Sequence, residues 1–286
     1  MANTAASVAR SSKAGAWSGV TWLRVYLAYM GRRLLDFSEA VRGLIAFAII
    51  ALGVAITKFN TAHRVVRPLI RAQVARAGCR LLPFIAFVAG ALGFLVIGQT
   101  VSLLTRVGAQ EIAGTVMVTA IVRELGPLVT ALIVLARVGT AIVIELGTAR
   151  ALGEVEALEA LAVDPIHYLV VPRVLGLALS VFSLTVYFIL IALASGYLFA
   201  FVQDVPLTPG EYVRQLANAL TWEDFLLLAL KTFAFGHIIA LVTCFQGLAQ
   251  PLRLDDVGPA TTQAVVLSVI GCVLVDAVFI VIYLVM

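Results

Sequence analysis

Residues 174–203 decide the fold class of this chain, because they read VLGLALSVFSLTVYFILIALASGYLFAFVQ without a single charged side chain. These thirty residues exceed the about 20 that an α-helix needs to cross a bilayer. Four further apolar stretches of similar length lie around it, at 81–105, within 114–146, at 225–248 and at 261–286. The sequence therefore predicts an all-α integral membrane protein with five transmembrane helices.

The composition of the whole chain agrees with this prediction. Hydrophobic residues make up 62% of the 286 residues and charged residues only 13%, whereas a soluble domain has about half and about a quarter. The mean hydropathy is +1.06. These values exclude a water-soluble globular enzyme. The unbroken apolar runs also exclude a transmembrane β-barrel, whose strands alternate polar and apolar residues.

The chain divides into three predicted regions. Residues 1–16 are rich in Ser and Ala and are expected to form a disordered cytoplasmic tail. Residues 17–80 show amphipathic spacing and are predicted to form a helical region at the membrane interface. Residues 81–286 form the five-span domain. The uncharged stretch 43–57 is too short for a full span, so an interfacial or re-entrant helix is favoured and a tilted sixth span remains open.

The distribution of positive charge predicts the orientation in the membrane. Twelve of the twenty Lys and Arg residues fall within residues 1–80, with only Asp36 and Glu39 against them. Basic flanks stay in the cytoplasm, so the amino terminus is expected inside and, after five spans, the carboxyl terminus outside. The loop at 149–173 is then cytoplasmic, and the acidic loop at 204–224, which ends at Asp224, is outside. The same distribution argues against a nucleic-acid partner.

No motif for catalysis or metal binding occurs in the sequence. It has no GxSxG, no HExxH, no Gly-Lys-Ser/Thr and no CxxC. We therefore expect no ATP hydrolysis, no resident cofactor and no metal in this chain. An intramembrane hydrolase, the rival class, lacks a nucleophile and base at suitable spacing.

Charged residues within the apolar stretches are the first candidate functional feature. Arg123 and Glu124 precede Pro127, while Lys231 and Asp276 lie in the last two predicted spans. Such groups cost several kcal/mol in a bilayer unless they are paired or hydrated. They are either interhelical salt bridges or the polar wall of a substrate path, and the two interpretations are compatible.

The predicted cytoplasmic loop carries the second candidate feature, a short acidic helix. Glu154, Glu156 and Glu159 share this helix with Leu158, Leu161 and Ala162, and Asp164-Pro165 is expected to end it, because the residue before proline disfavours the helical conformation. The helix is either a docking element for a motor protein or an ordinary solvated loop helix.

Long ordered motifs in the chain resemble the MlaE/YrbE permease family, the membrane subunits of MCE-associated ABC transporters. They are RELGPLVTALIVLARVGTAIVIELGT at 123–148 and EVEALEALAVDPIHYLVVPR at 154–173, followed by CFQGL at 244–248 and GPATTQAVVLS at 258–268. The resemblance covers about residues 60–286. Two features depart from it: a long amino-terminal region, and Gly153-Glu154 in place of the common Glu-Gln pair.

This resemblance implies an assembly in the bacterial inner membrane. It implies a homodimer with one interfacial helix and five spans per chain, and a cytoplasmic pair of ATPase subunits that bind ATP and Mg²⁺ and dock on residues 150–165. It further implies a periplasmic ring, expected to be a hexamer, that is formed by an MCE-domain protein. A separate STAS-domain protein is expected to bind the ATPase. The implied cargo is a glycerophospholipid in a cavity at the dimer interface. The alternative function is an ABC permease for another hydrophobic or small solute.

Site residues follow from the resemblance and the predicted topology together. The predicted lipid cavity contains Arg123, Glu124, Leu125, Leu128, Lys231 and Asp276. Arg123 or Lys231 is expected to meet the phosphate and Glu124 the headgroup cation, with the leucines and one face of 81–105 against the acyl chains. The predicted ATPase-coupling residues are Glu154, Glu156, Glu159 and Asp164.

Overall fold

A computed structural model of the chain describes residues 38–39, 41–54, 63–109, 112–202, 209–248 and 253–285. The predicted tail 1–16 and residues 17–37 of the predicted interfacial region lie outside the described residues. All regular elements within the described ranges are helical. The all-α prediction is therefore confirmed.

Twelve α-helices follow one another in the described part of the chain. They are α1 (Val41–Val54), α2 (His63–Ala77), α3 (Leu82–Leu92), α4 (Gly98–Val107), α5 (Ala113–Met117), α6 (Gly126–Val134), α7 (Thr140–Ala151), α8 (Glu154–Ala160), α9 (Val171–Val202), α10 (Pro209–Ala219), α11 (Trp222–Leu248) and α12 (Val257–Val285). Short 3₁₀ turns at Cys79–Leu81 and Leu254–Asp256 precede α3 and α12.

Five continuous helical stretches are long and apolar enough to cross a membrane, which confirms the predicted number. In chain order, spans 1 to 5 are Pro68–Val107, Ala113–Ala151, Ile166–Phe199, Trp222–Leu248 and Leu254–Val285. Helix α1 is shorter. Its length of about 21 Å, at 1.5 Å per residue, is less than the about 30 Å thickness of the hydrocarbon core. That residues 43–57 do not cross the bilayer remains a prediction.

Four π-helical segments interrupt the first three spans. They are Gly93–Ile97, Val118–Leu125, Leu135–Gly139 and Ile166–Val170. Such segments are rare and often mark functional sites. The second contains Arg123 and Glu124, and the third contains Arg137. Pro127 lies in the first turn of α6, where the missing N–H is tolerated, so the helix restarts there.

Close contact between spans 3 and 4 forms the centre of the core. Gly236 of α11 lies against the backbone of Ala178 of α9, where an added Cβ atom would overlap it. Phe188 and Phe235 are fully buried. Because only a glycine lets the two backbones approach this closely, the packing of α9 on α11 depends on residue 236.

Helix α10 was not expected from the sequence, which indicated only an acidic outer loop at 204–224. Tyr212 anchors this helix, because its hydroxyl donates to Leu193 O at 2.9 Å. Burial raises the pKa of Tyr212 above its ordinary value. The backbone of Gln215 lies close to Gly114 of α5. Helix α10 is therefore packed onto the five-span domain.

Candidate functional site

Three spans bring five charged side chains together at one site. Span 2 contributes Arg123 and Glu124, span 4 contributes Asp224 and Lys231, and span 5 contributes Asp276. We call these five residues the charged cluster. It holds two cations and three carboxylates, and four of its members were singled out from the sequence.

Lys231 lies at the centre of the cluster. Its Nζ donates to Arg123 O at 2.8 Å and to Glu124 Oε2 at 3.1 Å, and it lies 2.6 Å from Asp276 Oδ1. The lysine side chain has no exposed surface. A buried ammonium needs such a set of oxygens to offset its desolvation. Lys231 therefore joins spans 2, 4 and 5, as the salt-bridge interpretation predicts.

Arg123 makes a second ion pair, with Asp224. Its Nε lies 2.8 Å from Asp224 Oδ1, and its Nη2 donates to Asp224 Oδ2 at 3.3 Å. The guanidinium also lies 5.1 Å from the ring centroid of Tyr283, within the range of a cation–π interaction. The Nη1 group has no protein partner among the described residues, so it remains available to an anion.

Asp224 was counted from the sequence only as an acidic residue of the outer loop. In the structure it is 2% exposed and accepts from the Thr221 backbone N–H at 2.9 Å and the Thr221 hydroxyl at 3.0 Å. Thr221 precedes α11 and Asp224 is its third residue. The bond from the Thr221 N–H to the Asp224 carboxylate is one half of a capping box, while the Asp224 N–H donates to the Thr221 carbonyl at 3.2 Å. The Thr-x-x-Asp spacing is a signal that could have identified this helix start.

Exposure separates the members of the cluster. The side chains of Arg123 and Glu124 are 24% and 30% exposed, whereas those of Lys231 and Asp276 are 0% and 12% exposed. Leu125 and Leu128 are half-buried and follow on the same span. Lys231 therefore holds the cluster together from inside. A ligand reaching the cluster from outside this chain meets Arg123 and Glu124.

A further ion pair joins spans 2 and 3 near the opposite end of span 2. Arg173 Nη2 lies 2.9 Å from Glu145 Oε1, and Arg173 Nη1 donates to Leu169 O at 2.9 Å. This pair was not predicted. It ties α7 to α9 beside the loop that carries the acidic helix.

The acidic helix predicted for the cytoplasmic loop is α8. Gly153, at φ +76°, precedes it in the left-handed region. Val155 is buried, while Glu154, Glu156 and Glu159 are exposed. Glu156 Oε1 lies 3.4 Å from Arg150 Nε. The helix thus presents an acidic surface that is anchored by one apolar residue.

The predicted end of this helix was wrong. Helix α8 ends at Ala160, before the Asp164-Pro165 pair, because Ala162 adopts a left-handed conformation at φ 59°. The bonds from Ala162 N to Glu159 O at 2.9 Å and from Val163 N to Leu158 O at 3.0 Å form a Schellman motif. Leu161 and Ala162 therefore lie beyond the helix.

Asp164, predicted as a coupling residue, caps the following helical turn. Its Oδ1 accepts from Ile166 N at 3.0 Å and from His167 N at 3.4 Å. A carboxylate at this position satisfies free N–H groups at a helix start. Asp164 thus shapes the end of the loop.

The charged cluster and α8 lie at opposite ends of span 2. From Arg123 to Arg150 the chain rises about 40 Å along the helix, at 1.5 Å per residue. Span 2 continues for ten further residues beyond Arg123, to Ala113. The structure therefore separates the cluster from the acidic helix by about 40 Å along span 2.

Comparisons with known proteins agree with this architecture. A sequence model described as "Permease MlaE" matches residues 70–282. A probable ABC transporter permease protein of Rickettsia felis is 30% identical over 244 residues, covering 84% of this chain and 90% of the relative. A probable ABC transporter permease protein of Synechocystis is 31% identical over 199 residues, covering 70% and 75%. The chloroplast protein TRIGALACTOSYLDIACYLGLYCEROL 1 of Arabidopsis thaliana is 31% identical over 206 residues, covering 71% and 58%.

Proposed function

Since this chain belongs to the MlaE permease family, and is a multi-pass permease subunit of the ABC transporter type, we propose that its cargo is a phospholipid. In this proposal the chain moves the lipid between the inner membrane and a periplasmic MCE-domain protein, driven by a separate ATPase. The name of the Arabidopsis relative is that of a galactosylated diacylglycerol. A lipid cargo for this chain is in keeping with that name.

The observation that carries the proposal is the exposed edge of the charged cluster. Arg123 and Glu124 are adjacent, opposite in charge and partly exposed. A zwitterionic headgroup has the matching pattern, with a phosphate for the free Nη1 of Arg123 and an amine for Glu124. Guanidinium is well suited to phosphate. Leu125 and Leu128 then provide apolar surface for the acyl chains.

Lys231 has a supporting role in this proposal. Its contacts to Glu124 and to the backbone of Arg123 fix the two residues that meet the headgroup. Asp224 fixes the guanidinium of Arg123. Positioning by a surrounding set of hydrogen bonds is how binding sites keep their geometry. The salt-bridge and substrate-path interpretations therefore apply to different members of one cluster.

ATP hydrolysis is assigned to a partner subunit, and α8 is its docking element. The exposed carboxylates of Glu154, Glu156 and Glu159 suit a basic groove on that partner. Complementary charge favours association and orientation. The ion pair between Glu145 and Arg173 joins spans 2 and 3 beside the loop that carries α8. A displacement of α8 by the ATPase is therefore transmitted to both spans.

The assembly proposed around this chain is a homodimer with two ATPase subunits on the cytoplasmic side. A ring of MCE-domain protein covers the periplasmic side, and a STAS-domain protein binds the ATPase. The amino terminus is cytoplasmic and the carboxyl terminus periplasmic. The charged cluster then lies in the periplasmic half of the bilayer, where a cavity open to the ring needs its headgroup contacts.

Co-purification in mild detergent tests the proposed function. The tagged full-length chain is isolated from its native membrane, and bound lipids and proteins are identified by mass spectrometry. We expect a glycerophospholipid enriched over its abundance in the membrane, together with an ATPase and an MCE-domain protein. Enrichment of a different hydrophobic solute, or recovery without an MCE-domain protein, would contradict the proposal.

A further inference from the structure

A groove runs between spans 1 and 2 on the surface of the domain, away from the charged cluster. It has a volume of about 400 Å³, which is within the range of ligand pockets. Phe84 and Val88 of α3 form one wall. The other wall is formed by α6 and the π-helical segment that follows it, with Val129, Leu132, Ile133, Ala136 and Arg137. Apart from Arg137 the lining is apolar.

One end of this groove is basic. A smaller cavity of about 170 Å³ is lined by Arg80, Leu81, Phe84 and Arg137, and it shares Phe84 and Arg137 with the groove. The two arginines come from different spans and meet at the same cavity. The combined site is therefore an apolar groove that ends at two guanidinium groups, and we call it the basic groove.

Neither arginine has a counterion in the described ranges of the chain. No carboxylate there lies within 4.0 Å of Arg80 or Arg137, and both residues are exposed. Residues 125–136 and 138–144 are uncharged, so Arg137 is the one charged residue between Glu124 and Glu145. An ionisable side chain within a membrane-spanning helix costs free energy when it has no partner. An anion bound in the cavity would be a partner for both guanidinium groups.

We propose that the basic groove binds an anionic phospholipid, with the phosphate between Arg80 and Arg137 and an acyl chain along Phe84, Val88 and Ile133. The lining residues of both cavities include no Asp or Glu. A headgroup amine therefore finds no carboxylate, and a lipid with net negative charge is favoured over a zwitterionic one. Phosphatidylglycerol has this chemistry.

This lipid site is distinct from the cargo site proposed at the charged cluster. Arg137 lies fourteen residues after Arg123, or about 21 Å along span 2, toward the end that carries α8. Arg80 lies in the 3₁₀ turn that connects the basic helix α2 to α3. Both arginines therefore lie between the charged cluster and the end of the domain that carries α2 and α8. The inference does not depend on what the transporter carries.

Native mass spectrometry of the full-length protein tests this proposal. The delipidated protein in detergent is titrated with phosphatidylglycerol, phosphatidylcholine or inorganic phosphate. Besides any lipid at the charged cluster, we expect one phosphatidylglycerol per chain in the basic groove, weaker binding of phosphatidylcholine there, and no displacement by excess inorganic phosphate. The Arg80→Gln/Arg137→Gln variant should bind phosphatidylglycerol about twenty-five-fold more weakly, at roughly fivefold for each charge.

Three further variants control for charge, for the apolar wall and for folding. Arg76→Gln removes an exposed charge of α2 that does not line the groove, and it should bind lipid as the wild type does. Ala136→Leu narrows the groove without changing its charge and should weaken binding. Arg80→Lys/Arg137→Lys keeps both positive charges and should retain most of the affinity for phosphatidylglycerol. This variant therefore separates a loss of lipid binding from a loss of folding.

Four results would overturn the proposal. The first is wild-type affinity in the double glutamine variant, and the second is wild-type affinity in Ala136→Leu. The third is a change in the number of chains per particle with unchanged lipid binding, because the groove would then be an interface between two copies. Displacement by inorganic phosphate alone would show a simple anion site and would also refute the lipid assignment.

Discussion

Replacing Lys231 by methionine removes the cation that joins three spans while keeping a side chain of similar length. The carboxylates of Glu124 and Asp276 then face each other without the ammonium that lies 3.1 Å and 2.6 Å from them. The carbonyl of Arg123 also loses its donor. The Arg123–Asp224 pair is left in place, so the change acts on one half of the cluster.

The expected loss of stability follows from this geometry. Removing one partner of a buried ion pair costs about 3–5 kcal/mol, and Lys231 serves two carboxylates, so the upper part of that range applies. At about 2–4 °C per kcal/mol for a chain of this size, the melting temperature should fall by about 10 °C or more. The comparison is Arg150→Gln, which breaks the exposed contact to Glu156 and should cost at most about 1 kcal/mol.

Thermal unfolding of the detergent-purified protein, followed by size-exclusion chromatography after heating, measures both variants. A third variant, Lys231→Met/Asp276→Asn, removes a carboxylate along with the cation. It should recover part of the loss, because contacting residues show coupling energies that distant residues do not. The Arg150 variant is the control for a changed charge on span 2.

Equal melting temperatures for Lys231→Met and Arg150→Gln would show that Lys231 does not hold the three spans together. A melting temperature of Lys231→Met/Asp276→Asn below that of Lys231→Met would show that the uncompensated carboxylates are not the source of the lost stability.

Three further predictions concern coupling, topology and packing. Glu154→Lys should reduce the amount of ATPase that co-purifies by about tenfold, the effect of losing about 1.4 kcal/mol at the interface, whereas the same reversal at exposed Glu223, in the first turn of span 4, should not. Undiminished association would refute docking on α8. A reporter that works only in the periplasm should be active when it is fused after Met286. Cysteines introduced at 42 and 58 should be labelled from the same side of the membrane, and labelling from opposite sides would mean that residues 43–57 cross the bilayer. Gly236→Ala should destabilise the protein by about 1–3 kcal/mol, because the added methyl group overlaps the backbone of Ala178. The control Gly90→Ala adds a methyl group in open space and should be neutral or stabilising by up to about 1 kcal/mol. Equal effects of the two substitutions would contradict the close packing of α9 on α11.

The spans were predictable because their signal is local. An uncharged stretch such as 174–203 is sufficient to identify a transmembrane helix, and no information from elsewhere in the chain is needed. The acidic surface of α8 was predictable for the same reason, since its glutamates lie within six residues. The match of ordered motifs to a permease family then added what spacing alone does not contain.

The pairing of the charges was not predictable from spacing. Lys231 contacts Glu124 across 107 residues and Arg123 contacts Asp224 across 101, and such distances are set by the packing of whole helices. The end of α8 was mispredicted because alanine, at residue 162, takes the left-handed position that glycine usually occupies. Helix α10 was missed because its stability comes from burial of Tyr212 and Leu216 on other elements.

In the proposed function, Arg123 at the exposed edge of the charged cluster holds the headgroup of a zwitterionic phospholipid. The measurement that tests this contact is the amount of zwitterionic phospholipid bound to the purified Arg123→Gln/Asp224→Asn variant, determined by native mass spectrometry. Removing both partners leaves no buried charge unpaired, and asparagine still accepts from Thr221, so the fold should be retained. We predict a wild-type melting temperature and a loss of about tenfold or more in bound zwitterionic phospholipid, the lipid class proposed for this cluster, as expected for one lost contact to a charged group. Wild-type occupancy by zwitterionic phospholipid in this folded variant would contradict headgroup binding at Arg123.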